Sequence, residues 1–234
     1  MPAAASIISR MKLLEADDAL YLEPERPARS AVVWLHGAGT DARVFLSFAR
    51  HLPLARTLAV RWIFPQAPVR AIDMYGGTRL RAWCNFKNLT RSEDQDEAGL
   101  RESGRRIEGY IRTQNQAGIP SERIAIGGFS QGGAMALHVG LRVAEALAGI
   151  VALSCYLPIY TTVPAERSRA ALGTSILMCH GTLDTVLPSH MGSLARDYLR
   201  ALGYPVKWQE YAMQHELCAE EIQLIGQWLE QQLG

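Results

Sequence analysis

One serine of this chain stands in a setting suited to chemistry. The segment GGFSQGGAMAL, residues 127–137, places Ser130 among four glycines, directly after the apolar run RIAI. Gly128, Ser130 and Gly132 form the pattern G-x-S-x-G, which is typical of a sharp strand-to-helix turn that exposes a nucleophilic serine. Glycines at these positions let the strand and the helix approach each other closely. The pattern predicts attack by Ser130 on a carbonyl carbon, against the alternative of a plain glycine-rich turn.

A nucleophilic serine needs a histidine as general base, and in chains with this turn that histidine lies in a loop after a later strand. His215, in YAMQHELC, lies between the last predicted strand and the last predicted helix. Three other histidines follow the serine, and each has a packing or capping explanation. His138 lies in a predicted helix, His180 closes a predicted strand and His190 opens a predicted helix. His215 is therefore the predicted base.

The same architecture places an acid between the serine and the histidine in the chain, again in a loop after a strand. Asp184, in CHGTLDTVLP, follows the predicted strand 175–180, whereas Asp197 lies within a predicted helix. Ser130, Asp184 and His215 satisfy both the order and the placement. Together they predict a catalytic triad.

Serine attack on a carbonyl creates a negatively charged oxygen, which needs hydrogen-bond donors. The turn itself supplies one donor, the backbone N–H of Gln131 at the start of the helix. A second should come from a loop after an early strand, and WLHGAGTD, residues 34–41, follows the first clear strand. Gly37 and Gly39 allow that backbone to turn its amides inward, and the predicted second donor is the N–H of Ala38.

Short apolar runs rich in β-branched residues alternate with helix-like stretches along the chain. The runs predict strands buried on both faces at 31–36, 60–64, 123–128, 149–155, 175–180 and 206–211. The helix-like stretches are about 42–52, 93–117, 131–146, 189–202 and 216–232. This alternation predicts one α/β domain over residues 1–234, with a mostly parallel central sheet and helices on both faces.

The composition excludes several classes of partner. Lys and Arg number 24 against 23 Asp and Glu, so the net charge is +1. A charge this small creates no overall electrostatic field that would attract nucleic acid. The four cysteines form no CxxC pair, and neither an HExxH motif nor a P-loop is present. We therefore expect no metal and no cofactor.

The cysteines lie mostly in apolar runs, which favours a reducing compartment. The N-terminal stretch MPAAASIISRMKLL lacks the long apolar core and early basic cluster of a secretory signal. No apolar run approaches the length of a membrane span, so stable membrane insertion is not expected. These features predict a cytoplasmic protein, and a homodimer is left open.

An ordered set of motifs covers nearly the whole chain: LHGAGTD, FPQAP, RAWCN, GGFSQGG, SCYLP, HGTLDTVLP and MQHELCAEEI. In this set the chain resembles the phospholipase/carboxylesterase family, which includes the acyl-protein thioesterases and belongs to the α/β-hydrolase superfamily. The resemblance implies an α/β-hydrolase fold, the triad Ser130, Asp184 and His215, and oxyanion amides at Ala38 and Gln131.

The chain departs from the family pattern at positions that bear on pocket shape. Ala38 stands where the family usually has leucine, and Cys84 and Asn85 follow a tryptophan that the family shares. The segment 157–174 is short, so we expect a minimal cap over the site. Five side chains are predicted to contact the acyl group: Met74, Trp83, Leu157, Val186 and Leu187.

These features predict a carboxylesterase that cleaves esters of short-to-medium acyl chains through an acyl-enzyme. An acyl-protein thioesterase and a lysophospholipase use the same triad and remain alternatives, with a small-molecule ester or an acylated molecule as substrate. A non-catalytic binding protein on a hydrolase scaffold is the alternative from another class. That alternative predicts a damaged triad, whereas the three residues are all present here.

Overall fold

The computed structural model describes residues 11–52, 54, 58–88 and 95–234. Among these residues an eight-stranded sheet has the order β1-β2-β4-β3-β7-β8-β9-β10, and β5 and β6 form a separate hairpin. β1 and β2 pair antiparallel with their neighbours, and the sheet is parallel from β4 to β10. The strands are β1 (Lys12–Glu15), β2 (Ala19–Glu23), β3 (Ser30–Leu35), β4 (Val60–Pro65), β5 (Val69–Ile72), β6 (Thr78–Arg81), β7 (Ile124–Phe129), β8 (Gly149–Leu153), β9 (Ile176–Gly181) and β10 (Val206–Tyr211).

Helices cover both faces of this sheet. They are α1 (Leu46–His51), α2 (Glu97–Gln116), α3 (Gln131–Gly140), α4 (Val163–Glu166), α5 (Ser189–Ala201) and α6 (Ala219–Leu233). Successive side chains of a strand point to opposite faces of the sheet. Val33 therefore packs in the core formed with α2, α3 and α5, whereas Val32 and Trp34 pack in the core formed with α1 and α6. The predicted fold class, a mostly parallel sheet between helices, is confirmed.

The predicted strands all form, with ends shifted by at most two residues. One detail was wrong: the run 206–211 was expected to be buried on both faces, but β10 is the last strand of the sheet and has only exposed and half-buried residues. The helix predicted over 131–146 ends at Gly140. Residues 93 and 94 of the helix predicted over 93–117 lie outside the described residues.

Sequence reasoning missed β1, β2 and the hairpin of β5 and β6. These strands have four or five residues, and β1, β5 and β6 are largely exposed, so they carry no buried apolar run that could reveal them. Between β8 and β9 the chain forms the four-residue α4 and short 3-10 turns, which fits the small cap predicted from the sequence. Within the described ranges, no helix is long and apolar enough to cross a membrane.

Candidate active site

Ser130 lies at the junction of β7 and α3 with an unusual backbone conformation. Its φ of 56° and ψ of −124° are rare for a residue with a side chain. A Cβ atom on Gly128 would lie 2.5 Å from the carbonyl carbon of Gly132, and a Cβ on Gly132 would lie 2.1 Å from the carbonyl oxygen of Leu35. Any side chain at either glycine would therefore push β7, α3 and the end of β3 apart. Gly128 and Gly132 are therefore required for the close approach of β7, α3 and β3 around Ser130.

His215 bridges Ser130 and Asp184. Its Nε2 lies 2.9 Å from Oγ of Ser130, and its Nδ1 lies 2.7 Å from Oδ2 of Asp184. Because a carboxylate only accepts hydrogen bonds, Nδ1–H is the donor to Asp184, and Nε2 is left to accept the hydroxyl proton of Ser130. Asp184 lies in the loop after β9 and His215 in the loop after β10, as the sequence predicted.

The Asp184 carboxylate is buried and surrounded by donors. Its side chain has no exposed surface. Oδ1 accepts from the backbone N–H of Val186 at 2.9 Å and of Leu187 at 2.8 Å. These two bonds leave Oδ2 directed at His215. A loop turn that binds its own carboxylate in this way fixes the orientation of the imidazole.

Phe129 contacts the imidazole from the side of the nucleophile. The ring centroids of Phe129 and His215 are 4.7 Å apart, and Phe129 directly precedes Ser130 in the chain. A ring at this distance restricts rotation of His215. Sequence reasoning passed over Phe129, although its position inside the G-F-S-Q-G-G motif was the available signal.

The two predicted oxyanion amides belong to segments that adjoin Ser130. Gln131 is the first residue of α3, where backbone N–H groups have no partner within the helix. The loop before Ala38 runs alongside the nucleophile, since a Cβ on Gly37 would lie 3.4 Å from Cβ of Ser130. Beyond Ala38, Gly39 has a φ of 78°, and its N–H donates to the Arg81 carbonyl at 2.8 Å.

A model of the phospholipase/carboxylesterase family matches residues 17–233. The chain belongs to this family. Acyl-protein thioesterase 1 of Yarrowia lipolytica is 35% identical over 216 residues, which cover 90% of this chain and 95% of that protein. Acyl-protein thioesterase 1 of Cryptococcus neoformans is 30% identical over 227 residues, with the same coverage of the two chains.

Solved structures of high similarity agree with this family. Arabidopsis thaliana SOBER1 superposes with a TM-score of 0.83 at 26% identity, over 88% of this chain and all 100% of that one. Zea mays acyl-protein thioesterase 2 superposes with a TM-score of 0.81 at 28% identity, over 92% of this chain and 99% of that one. The fold is the α/β-hydrolase fold, and the family membership makes this protein a hydrolase.

The side chains predicted to contact the acyl group divide into two sets. Met74 and Val186 are 45% and 50% exposed, whereas Leu157 and Leu187 are 6% and 2% exposed. Trp83 has no exposed surface at all and packs in the core on the α2 and α3 side of the sheet. The expectation that Trp83 lines a substrate groove therefore lacks support, because this indole presents no surface to a substrate.

The hairpin of β5 and β6 brings Met74 towards the loop that carries Ala38, which we call the oxyanion loop. Ile72, Ala82 and Phe86 form a small buried cluster against which Ala38 packs. Met74 lies in the turn between β5 and β6, and its N–H donates to the carbonyl oxygen of Phe86 at 3.0 Å. On the side of the acid, Leu183 and Val186 flank Asp184 and are 58% and 50% exposed. Exposed apolar side chains thus lie on the loop of the acid and on the hairpin that contacts the loop of Ala38.

Two histidines beside the site are buried and resist protonation. Burial lowers the pKa of His36 and of His180, since a charged imidazole is poorly solvated in the interior. His36 Nε2 accepts from the N–H of Ala67 at 3.1 Å, and His180 Nε2–H donates to the carbonyl oxygen of Leu187 at 2.7 Å. Among the described residues, no group of three or more His, Cys, Asp or Glu side chains is placed to hold a metal ion.

Proposed function

We propose that this family member is a serine-dependent acyl hydrolase, a carboxylesterase in which Ser130, His215 and Asp184 form the catalytic triad. One observation carries the proposal: the hydrogen-bonded chain from Ser130 Oγ through His215 to Asp184, with the serine on a strained turn. A neutral imidazole placed between a hydroxyl and a buried carboxylate activates the hydroxyl for attack.

The reaction proceeds in two acyl transfers. Ser130 Oγ attacks the carbonyl carbon while His215 Nε2 takes the hydroxyl proton, and the backbone N–H groups of Ala38 and Gln131 hold the resulting oxyanion. The tetrahedral intermediate then expels the alcohol or thiol, which receives the proton from His215. Water attacks the acyl-enzyme by the same route, with His215 taking a proton from water and returning it to Ser130.

An apolar acyl chain is the proposed substrate group. Met74, Leu183 and Val186 are exposed on the hairpin that contacts the loop of Ala38 and on the loop of Asp184, and their apolar side chains offer surface to such a chain. The small cap leaves the approach to Ser130 open, which suits flexible chains and acyl groups carried by a larger molecule. No charged cluster is needed in this scheme, because the recognised part is a hydrocarbon.

A second candidate is an acyl-protein thioesterase, and the similarity to two proteins of that name at 35% and 30% identity favours it. The proposed triad attacks an ester and a thioester alike, so geometry around Ser130 does not separate the two. A lysophospholipase shares the same machinery and differs in the group that leaves.

Matched substrates separate these candidates. The p-nitrophenyl ester, the S-acyl thioester of N-acetylcysteamine and the lysophosphatidylcholine of one acyl length are hydrolysed in parallel, with enzyme concentration set by fluorophosphonate titration of Ser130. A kcat/KM higher for the ester supports the carboxylesterase, and a higher value for the thioester or the lysophospholipid selects the corresponding alternative. Ser130→Ala is the matched control, and activity retained in it would contradict the proposal.

The same titration tests the non-catalytic alternative. A binding protein on this scaffold would take up an acyl chain but would neither release product nor react with a fluorophosphonate at Ser130. Absence of both in well-folded protein would overturn the enzymatic proposal.

The placement of the protein in the cytoplasm is likewise our proposal, supported by cysteines that lie mostly in apolar runs.

A further inference from the structure

Trp83 is buried yet makes directional bonds to two segments of the site. Its backbone N–H donates to Oε1 of Gln131 at 2.7 Å, and its indole Nε1–H donates to the backbone carbonyl of His36 at 2.8 Å. Its own carbonyl oxygen accepts from the Ser103 hydroxyl. Simple apolar packing would require none of these bonds, so Trp83 has a role beyond filling the core.

The side chain of Gln131 binds the same segment from the nucleophile side. Its Oε1 accepts from Trp83, and its Nε2 donates to the carbonyl oxygen of Cys84 at 2.9 Å. An amide that accepts from one residue and donates to the next fixes both the distance and the orientation of that segment. Gln131 is 6% exposed, so this side chain is enclosed by protein.

The loop that carries Ala38 is bonded to this segment on both sides of Ala38. Before it, the carbonyl oxygen of His36 accepts from the Trp83 indole. After it, the N–H of Gly39 donates to the carbonyl oxygen of Arg81 at 2.8 Å. The segment of residues 81–84 therefore holds the oxyanion loop at one end and the Gln131 side chain at the other.

We infer that the side chains of Trp83 and Gln131 are positioning residues that fix the backbone amides of Ala38 and Gln131 relative to each other. This inference rests on the proposed function, since it concerns the proposed oxyanion donors. The two amides belong to different segments of the chain, so contacts between these segments must set the distance between them. Donors to an oxyanion must lie within about 0.2 Å of 2.9 Å, so a small displacement weakens transition-state binding.

Three variants test this role. Trp83→Phe keeps an aromatic ring but removes the indole N–H that binds His36. Gln131→Met keeps the length of the side chain but removes both of its bonds to the segment of residues 81–84. Trp62→Phe is the matched control, because Trp62 is also buried, at 1% exposed, and lies in the core on the other face of the sheet.

The expected result is a loss of kcat with little change in KM. Removing an oxyanion donor costs about 100- to 1,000-fold in kcat, and displacing one should cost about 10- to 100-fold. For p-nitrophenyl butyrate we expect this loss in Trp83→Phe and in Gln131→Met, with KM within about threefold of the native value. A trifluoromethyl ketone forms the same oxyanion, so its inhibition constant should rise by the same factor by which kcat falls.

Several outcomes separate positioning from bulk stability. Trp62→Phe should lower the melting temperature and leave kcat and the inhibition constant unchanged. The double variant Trp83→Phe with Gln131→Met should lose less than the product of the two single losses, because both changes act on one network. Equal kcat losses in Trp62→Phe, or unchanged ketone binding in Trp83→Phe, would overturn the inference. Failure of the native protein to react with a fluorophosphonate would instead refute the proposed function.

Discussion

The Nε2 of His180 lies 3.4 Å from Oδ2 of Asp184, the same oxygen that accepts from His215 at 2.7 Å. His180 has 1% of its side chain exposed, and the Asp184 side chain has none. The carboxylate accepts three hydrogen bonds, from the backbone N–H groups of Val186 and Leu187 at Oδ1 and from His215 at Oδ2, whereas the His180 Nε2–H donates to the carbonyl oxygen of Leu187. Asp184 is therefore held as an acceptor only.

Asp184→Asn should reduce kcat by about ten-thousandfold, the loss that follows when a triad acid can no longer select the imidazole tautomer. The new amide must direct an NH2 group towards donors, either at His215 or at the backbone N–H groups of Val186 and Leu187. Steady-state hydrolysis of a p-nitrophenyl ester measures the loss, and circular dichroism checks the fold. A loss smaller than about tenfold would contradict the role of Asp184.

His215→Ala should nearly abolish turnover, since no other described group lies at hydrogen-bond distance from Ser130 Oγ as a base. The control is His190→Ala, because His190 is exposed on α5 and should be dispensable. Both variants are assayed on the same ester after confirming equal melting temperatures. The placement of the base would be wrong if His190→Ala proved the more damaging change.

Glu221 should make the protein less stable as the pH rises. This residue is fully buried in the first turn of α6. Burial raises the pKa of its carboxyl from 4.5 to about 8, and a hydrogen bond with the Cys218 backbone lowers this pKa by a smaller amount. Between these values the folded state binds more protons than the unfolded state. The free energy of unfolding therefore falls as the pH rises from 4.5 to about 8 and then levels off.

Glu221→Gln, a neutral side chain of the same shape, should remove this dependence. We expect the variant to melt about 5 to 10 °C above the native protein at pH 8.5 and close to it at pH 4.5. Scanning calorimetry at the two pH values measures the difference. Glu220→Gln is the matched control, because Glu220 is the exposed neighbour in the same helical turn and shares its helix-terminal charge effect. A native stability that does not fall across this range would contradict the prediction.

The exposed apolar side chains of Met74, Leu183 and Val186, which we call the apolar rim, should make the rate depend on acyl length. Each buried methylene contributes about 0.8 kcal/mol, or roughly fourfold in kcat/KM, until the chain extends past the surface. Val186→Asp and Met74→Asp should flatten this rise between acetate and octanoate while sparing acetate. Leu194→Asp is the control, because Leu194 is 65% exposed on α5. A steady fall of kcat/KM with chain length in the native enzyme would argue against any acyl-binding rim.

Trp83→Ala distinguishes the rim from the positioning network. A tryptophan that lined a groove would affect long acyl chains most. Because Trp83 is fully buried and bonded to the oxyanion loop, we expect its removal to lower kcat by a similar factor at every chain length. A loss confined to long chains would restore the substrate-contact interpretation.

The sequence by itself determined the strand-to-helix turn around Ser130, the order of Ser130, Asp184 and His215, and the alternation of strands and helices. These features follow from local rules. Glycines that permit close approach are adjacent to the serine, and a buried parallel strand requires a continuous apolar run. The expectation that acid and base lie in loops after β9 and β10 needs only the rule that carboxyl ends of parallel strands share one edge.

Only the tertiary structure decided where the large apolar side chains point and which backbone groups they bind. Trp83 lies 47 residues from His36 and 48 residues from Gln131, so no periodicity or motif could reveal either contact. The half-exposed β10 depends likewise on which strand ends the sheet, and the hairpin of β5 and β6 depends on a pairing that lies outside this sheet. A buried hydrogen bond forms where the packed chain leaves a donor and an acceptor without water, and that pairing is a property of the whole fold.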